Sequence, residues 1–420
     1  MTQDKSGGVT RREALAAFGA LAATAAGAQA AQGNAEGEPV KKKYEVAAYY
    51  FPNYHVDPRN EEQHGKGWTE WELVKRAEPR FPGHRQPRVP AWGYEDEADP
   101  KVMANKIDAA ADHAVDIFLY DWYWYDDKPF LQRCLEEGFQ KAPNKDRMKF
   151  AIHWANHTWC DIMPAKLGFG LGPNQIVQYQ GPISRESFDK MADYVIEKYF
   201  KDPSYWLIDG CPYFSIYELT SFMEGLGGMD QAAQALADFR AKTKAAGFPD
   251  LHLNAMLWSV KVLPTDKIVR NPEELLKVLA FDSIGSYVWV HHVALEQFPE
   301  TPYHEVMEKA IAHWNETVKR HALPFHPNVS MGWDSSPRTV QSDTYSNAGY
   351  PFTATISGNT PRAFREGLSA AKNFLDAQPW EHKVVSLNAW NEWTEGSYLE
   401  PDTFHGLGYL EAIKAVFGQA

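Results

Sequence analysis

Short apolar runs rich in β-branched and aromatic residues return eight times along the chain, at residues 44–51, 115–121, 149–154, 212–217, 251–256, 282–287, 326–331 and 383–389. Stretches of helical character separate most of them, at 100–114, 129–141, 184–200, 229–246, 271–280, 303–321 and 360–377, with a last one at 408–417. This alternation constrains the fold more than any other feature, because parallel neighbours in one sheet require a crossover between them. Helix starts are marked by Asp99-Pro100 and Asn271-Pro272, a capping residue followed by a first-turn proline, and by Ser184. Eight strand–helix units predict α/β architecture: a closed (β/α)8 TIM barrel, one domain over residues 43–420. An open doubly wound sheet is the alternative, but no G-x-G-x-x-G or phosphate loop follows the first run. The connection at 52–98 is long and rich in Pro, Trp, His and Arg, and is expected to cover the barrel mouth.

Residues 1–30 read as a twin-arginine signal peptide. Arg11 and Arg12 precede an Ala-rich apolar stretch, and Ala28-Gln29-Ala30 offers a small-residue cleavage site. Residues 31–42 then form a flexible lead-in, and the mature protein is expected to be periplasmic or secreted. The apolar stretch is too short for a membrane span, and none is expected in the mature protein. A net charge of −13 gives no electrostatic footprint for nucleic acid. Cys134, Cys160 and Cys211 allow one disulfide at most, so this is not a disulfide-stapled fold.

In such a barrel the chemistry sits at the carboxyl ends of the strands. Those ends deliver Tyr50 and His55; Asp121, Trp122 and Tyr123; His153, Trp154 and Asn156; Tyr287 and Trp289; Trp333 and Asp334; and Asn391 and Trp393. Trp68 and Glu70 join them from the long connection. Flat rings beside directional polar groups suit a polysaccharide or oligosaccharide, and the 15 Trp, 20 Tyr and 22 Phe agree with that. Glycosidic cleavage needs two carboxyl groups, and Glu392 and Glu395 stand three residues apart just past the last strand, where a helical turn would bring both to one side. Arg85 and Arg88 are read as holding the long connection by carboxylate pairing, with recognition of an acidic sugar as the alternative. His153, His157, Cys160, His291 and His292 lack a regular ligand spacing, so neither metal nor cofactor is expected. Two rivals remain. A glycosyltransferase would need a cytosolic nucleotide-sugar donor and a D-x-D-like site, for which Asp126-Asp127 is a weak candidate. A non-catalytic sugar-binding protein would not need both glutamates.

Several segments carry a family likeness: Tyr49-Tyr50-Phe51-Pro52-Asn53-Tyr54-His55, Gly65 to Trp71, Gly83 to Pro90, the aromatic run Asp121 to Tyr125, His153 to Asn156, Gly332 to Arg338, Trp390 to Gly396, and Leu399 to Asp402. In these the chain resembles the WbsX-like family, also described as glycoside-hydrolase-99-like, from about residue 44 to the end. Some members are labelled glycosyltransferases by gene context. The related endo-α-mannosidases are (β/α)8 retaining enzymes with an N-E-W-x-E-G segment. The resemblance implies that Glu392 assists the sugar 2-hydroxyl as it attacks C1 through an epoxide-like intermediate, and that Glu395 is the general acid/base. That chemistry requires the 2-hydroxyl and leaving group to be trans, as in α-mannosides and α-L-rhamnosides. The long connection after the first strand departs from the mannosidases.

Overall fold

The computed structural model describes residues 43–169, 176–263, 265, 267–269 and 271–418; the expected signal segment and lead-in, residues 1–42, fall outside these. Eight parallel strands form the central sheet: β1 Glu45–Tyr50, β2 Ile117–Tyr125, β3 Lys149–Trp154, β4 Cys211–Ile216, β5 His252–Met256, β6 Ser283–Gly285, β7 Asn328–Ser330 and β8 Val384–Asn388. Their order runs β6-β5-β4-β3-β2-β1-β8-β7. The circle closes through the seventh run. Phe325–His326 pairs with β6 and Asn328–Ser330 pairs with β8. Pro327 divides the two pieces, because it has no N–H to give the ladder, yet its carbonyl still accepts from Ser386 N at 2.9 Å. The fold is therefore the expected TIM barrel.

The helix following each strand takes its number: α1 Pro100–Asp112, α2 Cys134–Phe139, α3 Arg185–Val195, α4 Met229–Ala245, α5 Pro272–Val278, α6 Tyr303–Arg320, α7 Pro361–Asp376 and α8 Gly408–Phe417. Caps explain several starts: Asp99 accepts from Lys101 N, Ser184 from Ser187 N and Thr360 from Ala363 N. The helix expected over 129–141 is much shorter. β2 runs on to Tyr125 and pairs antiparallel with Lys128–Phe130. Asp126 and Asp127 make the two-residue turn between them, with φ of 53° and 57°, the left-handed pair such a hairpin requires. These aspartates are a hairpin turn, with Lys190 paired to Asp127 at 2.6 Å.

Side chains alternate across each strand. Register places Tyr50, Tyr120 and Ile152 on one face, and Trp122, Trp154 and Ile216 further along the same face. This face points to the helices: Trp154 packs on Phe188 of α3 and on Phe222, and Trp122 donates to Tyr199 at 3.0 Å. The opposite face, carrying Tyr49, Asp121, His153, Ser215, Asn254 and Ser283, fills the barrel interior. The long connection holds two short helices, Pro58–His64 and Trp71–Arg76, and arginines pin it to the mouth. Arg80 donates to Thr339 Oγ1 at 3.0 Å, Arg88 lies 3.3 Å from Asp334, and Arg85 lies 3.8 Å from Asp402. Cys134, Cys160 and Cys211 are unpaired.

Candidate active site

The chain leaves β8 and folds at once into a tight hairpin. Asn391–Glu392 pairs antiparallel with Ser397–Tyr398, around a single 3-10 turn at Trp393–Glu395. Gly396 closes the turn with φ 62°, and a Cβ there would stand 2.6 Å from the Asp334 Cβ, so no other residue fits. Asn391 locks the hairpin to the end of β1: its Oδ1 accepts from Phe51 N at 2.8 Å and its Nδ2 donates to Phe51 O at 2.7 Å. Trp393 donates to Glu400 at 2.8 Å and stacks on Tyr398 with centroids 3.7 Å apart. The result brings the Glu392 and Glu395 carboxyls, both buried, into hydrogen-bonding contact.

Arg338 governs the pair. Its Nη1 meets Glu395 Oε1 at 2.5 Å, its Nη2 lies 3.7 Å from Glu392 Oε1, and its Nε donates to Glu70 Oε1 at 2.9 Å. Tyr350 also donates to Glu395 Oε1, at 2.5 Å. Glu70 is in turn held by Thr394 and by Asn53 Nδ2 at 2.7 Å. Burial pushes the Glu392 carboxyl well above the usual carboxylate range, and the facing Glu395 adds to this against the pull of Arg338. Burial raises Glu395 as well, but Arg338 and Tyr350 oppose it. The two acids are thus made unequal: the donors on Glu395 favour its carboxylate, and Glu392 has the stronger tendency to hold a proton.

A cleft of about 740 Å3, counting its open mouth, leads to this pair. Asp121, Tyr123, His153, Tyr217, Tyr287 and Trp333 line it together with Arg338 and both glutamates. Hydrogen counting fixes one tautomer. Ser215 Oγ donates to Asn254 Oδ1 at 3.0 Å, so it accepts from His153 Nδ1 at 2.9 Å, and His153 Nε2 is left as an acceptor. Burial holds His153 and His291 neutral, lowering them to about 3, and His157 to about 4. Asp121 Oδ1, His153 Nε2 and Arg338 Nη2 are buried without a hydrogen-bond partner among the described residues. Buried polar atoms are rarely left so, and here all three belong to residues of the cleft wall.

Of the residues singled out in the sequence, Asp121, Tyr123, His153, Tyr287, Trp333, Glu392 and Glu395 meet at this cleft. His157, Cys160 and His291, set aside above as metal ligands, line it too, whereas the remaining substrate candidates do not. Tyr50, Trp122 and Trp154 sit one position out of phase and face the helices. Trp289 is buried against Tyr303 and donates to Asn328 O at 2.7 Å. Asn156 spends its amide on the Glu218 backbone, at 2.7 and 2.8 Å. Trp68 stacks on His64 in the long connection, and His55 lies 3.5 Å from Glu97, behind β1. Glu70, Asp334, Asn391 and Trp393 support the site from behind. Asp334 accepts from His84 at 2.8 Å and Gln86 at 2.7 Å; burial alone would raise its carboxyl, yet these contacts and Arg88 hold it far below the usual range. Arg338 and Tyr350 are not among the residues the sequence singles out. Arg338 ends the segment that begins at Gly332, the one sequence sign that could have marked it, whereas nothing in the sequence marks Tyr350. Among the described residues, His55, Glu97 and Cys134 form a buried group with donor atoms within 4.8 Å of one another, but Glu97 already serves Tyr50, Tyr54 N, Asn391 and Lys106.

A closed barrel with an acid pair at its carboxyl end is a familiar enzyme plan. A family profile described as "Glycosyltransferase WbsX" matches residues 46–413, and the chain belongs to the WbsX family. Two proteins described as "Uncharacterized protein WxcX", from two strains of Xanthomonas campestris pv. campestris, are 25% identical to it over 397 residues, 89% of this chain and 50% of theirs. The chain therefore spans about half the length of the curated relatives it matches. Among solved structures, a "Glycoside hydrolase-like protein" superposes with TM-score 0.55 at 15% identity, covering 91% of this chain and 96% of that one. A GH99 endo-α-mannosidase from Bacteroides thetaiotaomicron superposes with TM-score 0.50 at 15% identity, covering 88% and 95%. At these identities the likeness shows the shared barrel fold.

Proposed function

We propose that this protein is a glycoside hydrolase that cleaves α-linked manno-configured sugars, α-mannosides or α-L-rhamnosides, within a polysaccharide. The observation that carries the reading is the buried Glu392–Glu395 contact at the end of β8, set in a cleft whose wall leaves polar atoms unpaired. Carboxyls this close lie on the short side of the separation that an inverting enzyme needs for its water, which supports retention. Glu392 is the base for the 2-hydroxyl, and Glu395 protonates the leaving oxygen and later activates water. The resting proton sits on Glu392. Its transfer to Glu395 across their contact readies both, leaving Glu392 a carboxylate and Glu395 an acid. The neutral His153 Nε2 accepts a sugar hydroxyl, and Arg338 Nη2 donates to another. The twin-arginine segment directs the protein out of the cytosol, where polysaccharide is met and nucleotide sugars are not.

The family's description favours one rival, transfer of the sugar to another glycan rather than to water. Incubation with mannose- and rhamnose-containing polysaccharides, with NMR of the first-formed product, separates the readings. The expected product is a free reducing sugar that keeps its anomeric configuration. Inversion defeats the proposed mechanism, and growth of a longer glycan establishes the transferase.

A further inference from the structure

The hydroxyl of Tyr287 stands between two carboxyls, 2.8 Å from Asp121 Oδ2 and 3.1 Å from Glu392 Oε2. A phenol has one proton to give. Tyr287 keeps it, since burial raises the phenol well above its ordinary value, with Asp121 and Glu392 adding to the effect. If both carboxyls were ionised, one of these contacts would set lone pair against lone pair inside a buried site. One of the two acids must therefore supply a second proton to the line.

The surroundings decide which. The resting proton of Glu392 is the one it shares with Glu395, and in the working state proposed above it passes to Glu395, so it does not serve this line; Glu392 is instead served by Arg338. Asp121 forms no ion pair with a lysine or arginine among the described residues. Tyr123 stands near it on its own strand, neutral His153 is its register partner on β3, Tyr287 comes from the end of β6, and Glu392 and Glu395 come from beyond β8. Every charge among these is negative. Its second oxygen, Oδ1, has no hydrogen-bond partner among the described residues. Both facts penalise an ionised Asp121 and neither penalises a neutral one.

We propose that Asp121 is held as a neutral carboxylic acid that donates to the Tyr287 oxygen, turning the Tyr287 proton toward Glu392. Asp121 is then a positioning residue. It acts through Tyr287 to stabilise Glu392 as the carboxylate of the pair, and no proton is consumed, because the line Asp121–H···O(Tyr287)–H···Glu392 is complete as it stands. Burial supports this by raising the Asp121 carboxyl well above its usual range. The choice of Asp121 over Glu392 and the catalytic use of the line rest on the glycosidase reading; the lack of a cation beside Asp121 and its unpartnered Oδ1 do not.

Infrared spectra of the ligand-free protein at pH 7 test it, comparing wild type, Asp121→Asn and Asp121→Ala. The expected result is a carbonyl band of un-ionised acid in wild type that loses its Asp121 component in Asp121→Asn, while the part contributed by Glu392 remains. Absence of the band from wild type, or its persistence unchanged in Asp121→Asn, overturns the proposal. On a glycan that wild type cleaves, Asp121→Asn keeps turnover within about tenfold, because its amide N–H replaces the acid proton, while Asp121→Ala loses about a hundredfold or more. Equal losses in both variants at unchanged fold also overturn it, since they would show that the charge is needed. A band that behaves as expected in a protein that cleaves no glycan removes the proposed function and leaves the neutral Asp121 standing.

Discussion

Two buried acid pairs flank the last strand, and they differ in what surrounds them. Behind the barrel, Glu97 and Glu400 share Lys106, at 3.5 and 2.7 Å. At the mouth, Glu392 and Glu395 share Arg338. All four carboxyls are almost wholly buried, and each pair has one cation. Behind the barrel most of the donors fall on Glu97, and Glu400 Oε1 has the Lys106 ion pair but no hydrogen-bond donor among the described residues. Glu97 takes Tyr50, Tyr54 N and Asn391 as well as Lys106, and Glu400 takes Trp393. Burial alone would raise Glu97, but Lys106 and His55 bring it below the usual range. At the mouth the carboxyls face each other, and both are raised. Burial and a cation therefore do not distinguish a structural acid from a chemical one. The donors on Glu97 set against those on Glu392 do, because each donor that favours the charged form removes a reason to hold a proton.

The largest effect should come from removing either cation. Lys106→Met and Arg338→Met each strand two buried acids and should cost about 3–5 kcal/mol in urea unfolding. Only Arg338→Met should also move the activity–pH profile, to higher pH, because both mouth carboxyls then rise further. A shift of the same size in Lys106→Met would merge the two centres into one.

The next effect has opposite signs on the two sides. The folded value of Glu97 is depressed, so its contribution is present above the free-glutamate pKa of about 4.3 and lost as pH falls through the folded value. Glu97→Gln should lower stability at pH 7 by about 3 kcal/mol. The folded value of Glu392 is raised, so its contribution is complete below that same free value and is lost as pH rises toward the folded one. Glu392→Gln should therefore raise stability at pH 7 by about 0.5–2 kcal/mol, with the gain fading toward pH 4. Melting curves at both pH values read this directly, and destabilisation by Glu392→Gln at pH 7 would break the contrast.

The smallest effect separates the two faces of one strand. Trp154→Phe, on the helix side, should leave turnover on a cleaved glycan within about twofold and cost about 1–3 kcal/mol of stability. A larger loss of turnover would place Trp154 in the site after all.

The same face rule shows what the sequence could and could not tell. Eight apolar runs give the barrel, because their spacing leaves few other ways to bury them. The strand ends also point to the cleft, but Tyr50, Trp122 and Trp154 look as suitable for a sugar as Tyr49 and Tyr123. Only the period-two alternation, once register is known, sends the first three to the helices. Glu392 and Glu395 are legible because they are close in sequence and the turn between them is local. Arg338 and Tyr350 are not, because they reach Glu395 across 57 and 45 residues of chain, and no local pattern encodes that approach. Asp126-Asp127, a weak metal–phosphate candidate and better read as a solvated loop, is a two-residue turn, but nothing local in the sequence shows that β2 continues into a hairpin there.

The central claim is that the open acid pair carries the chemistry. The direct test is product release from a mannose- or rhamnose-containing polysaccharide that wild type cleaves, measured for Glu392→Gln, Glu395→Gln and, as the structural counterpart, Glu97→Gln at a temperature where all are folded. The account predicts a loss of about a thousandfold or more in the first two, with glycan binding retained, and near-normal turnover per folded molecule in the third. Turnover surviving in both mouth variants, or falling equally in Glu97→Gln, would contradict it.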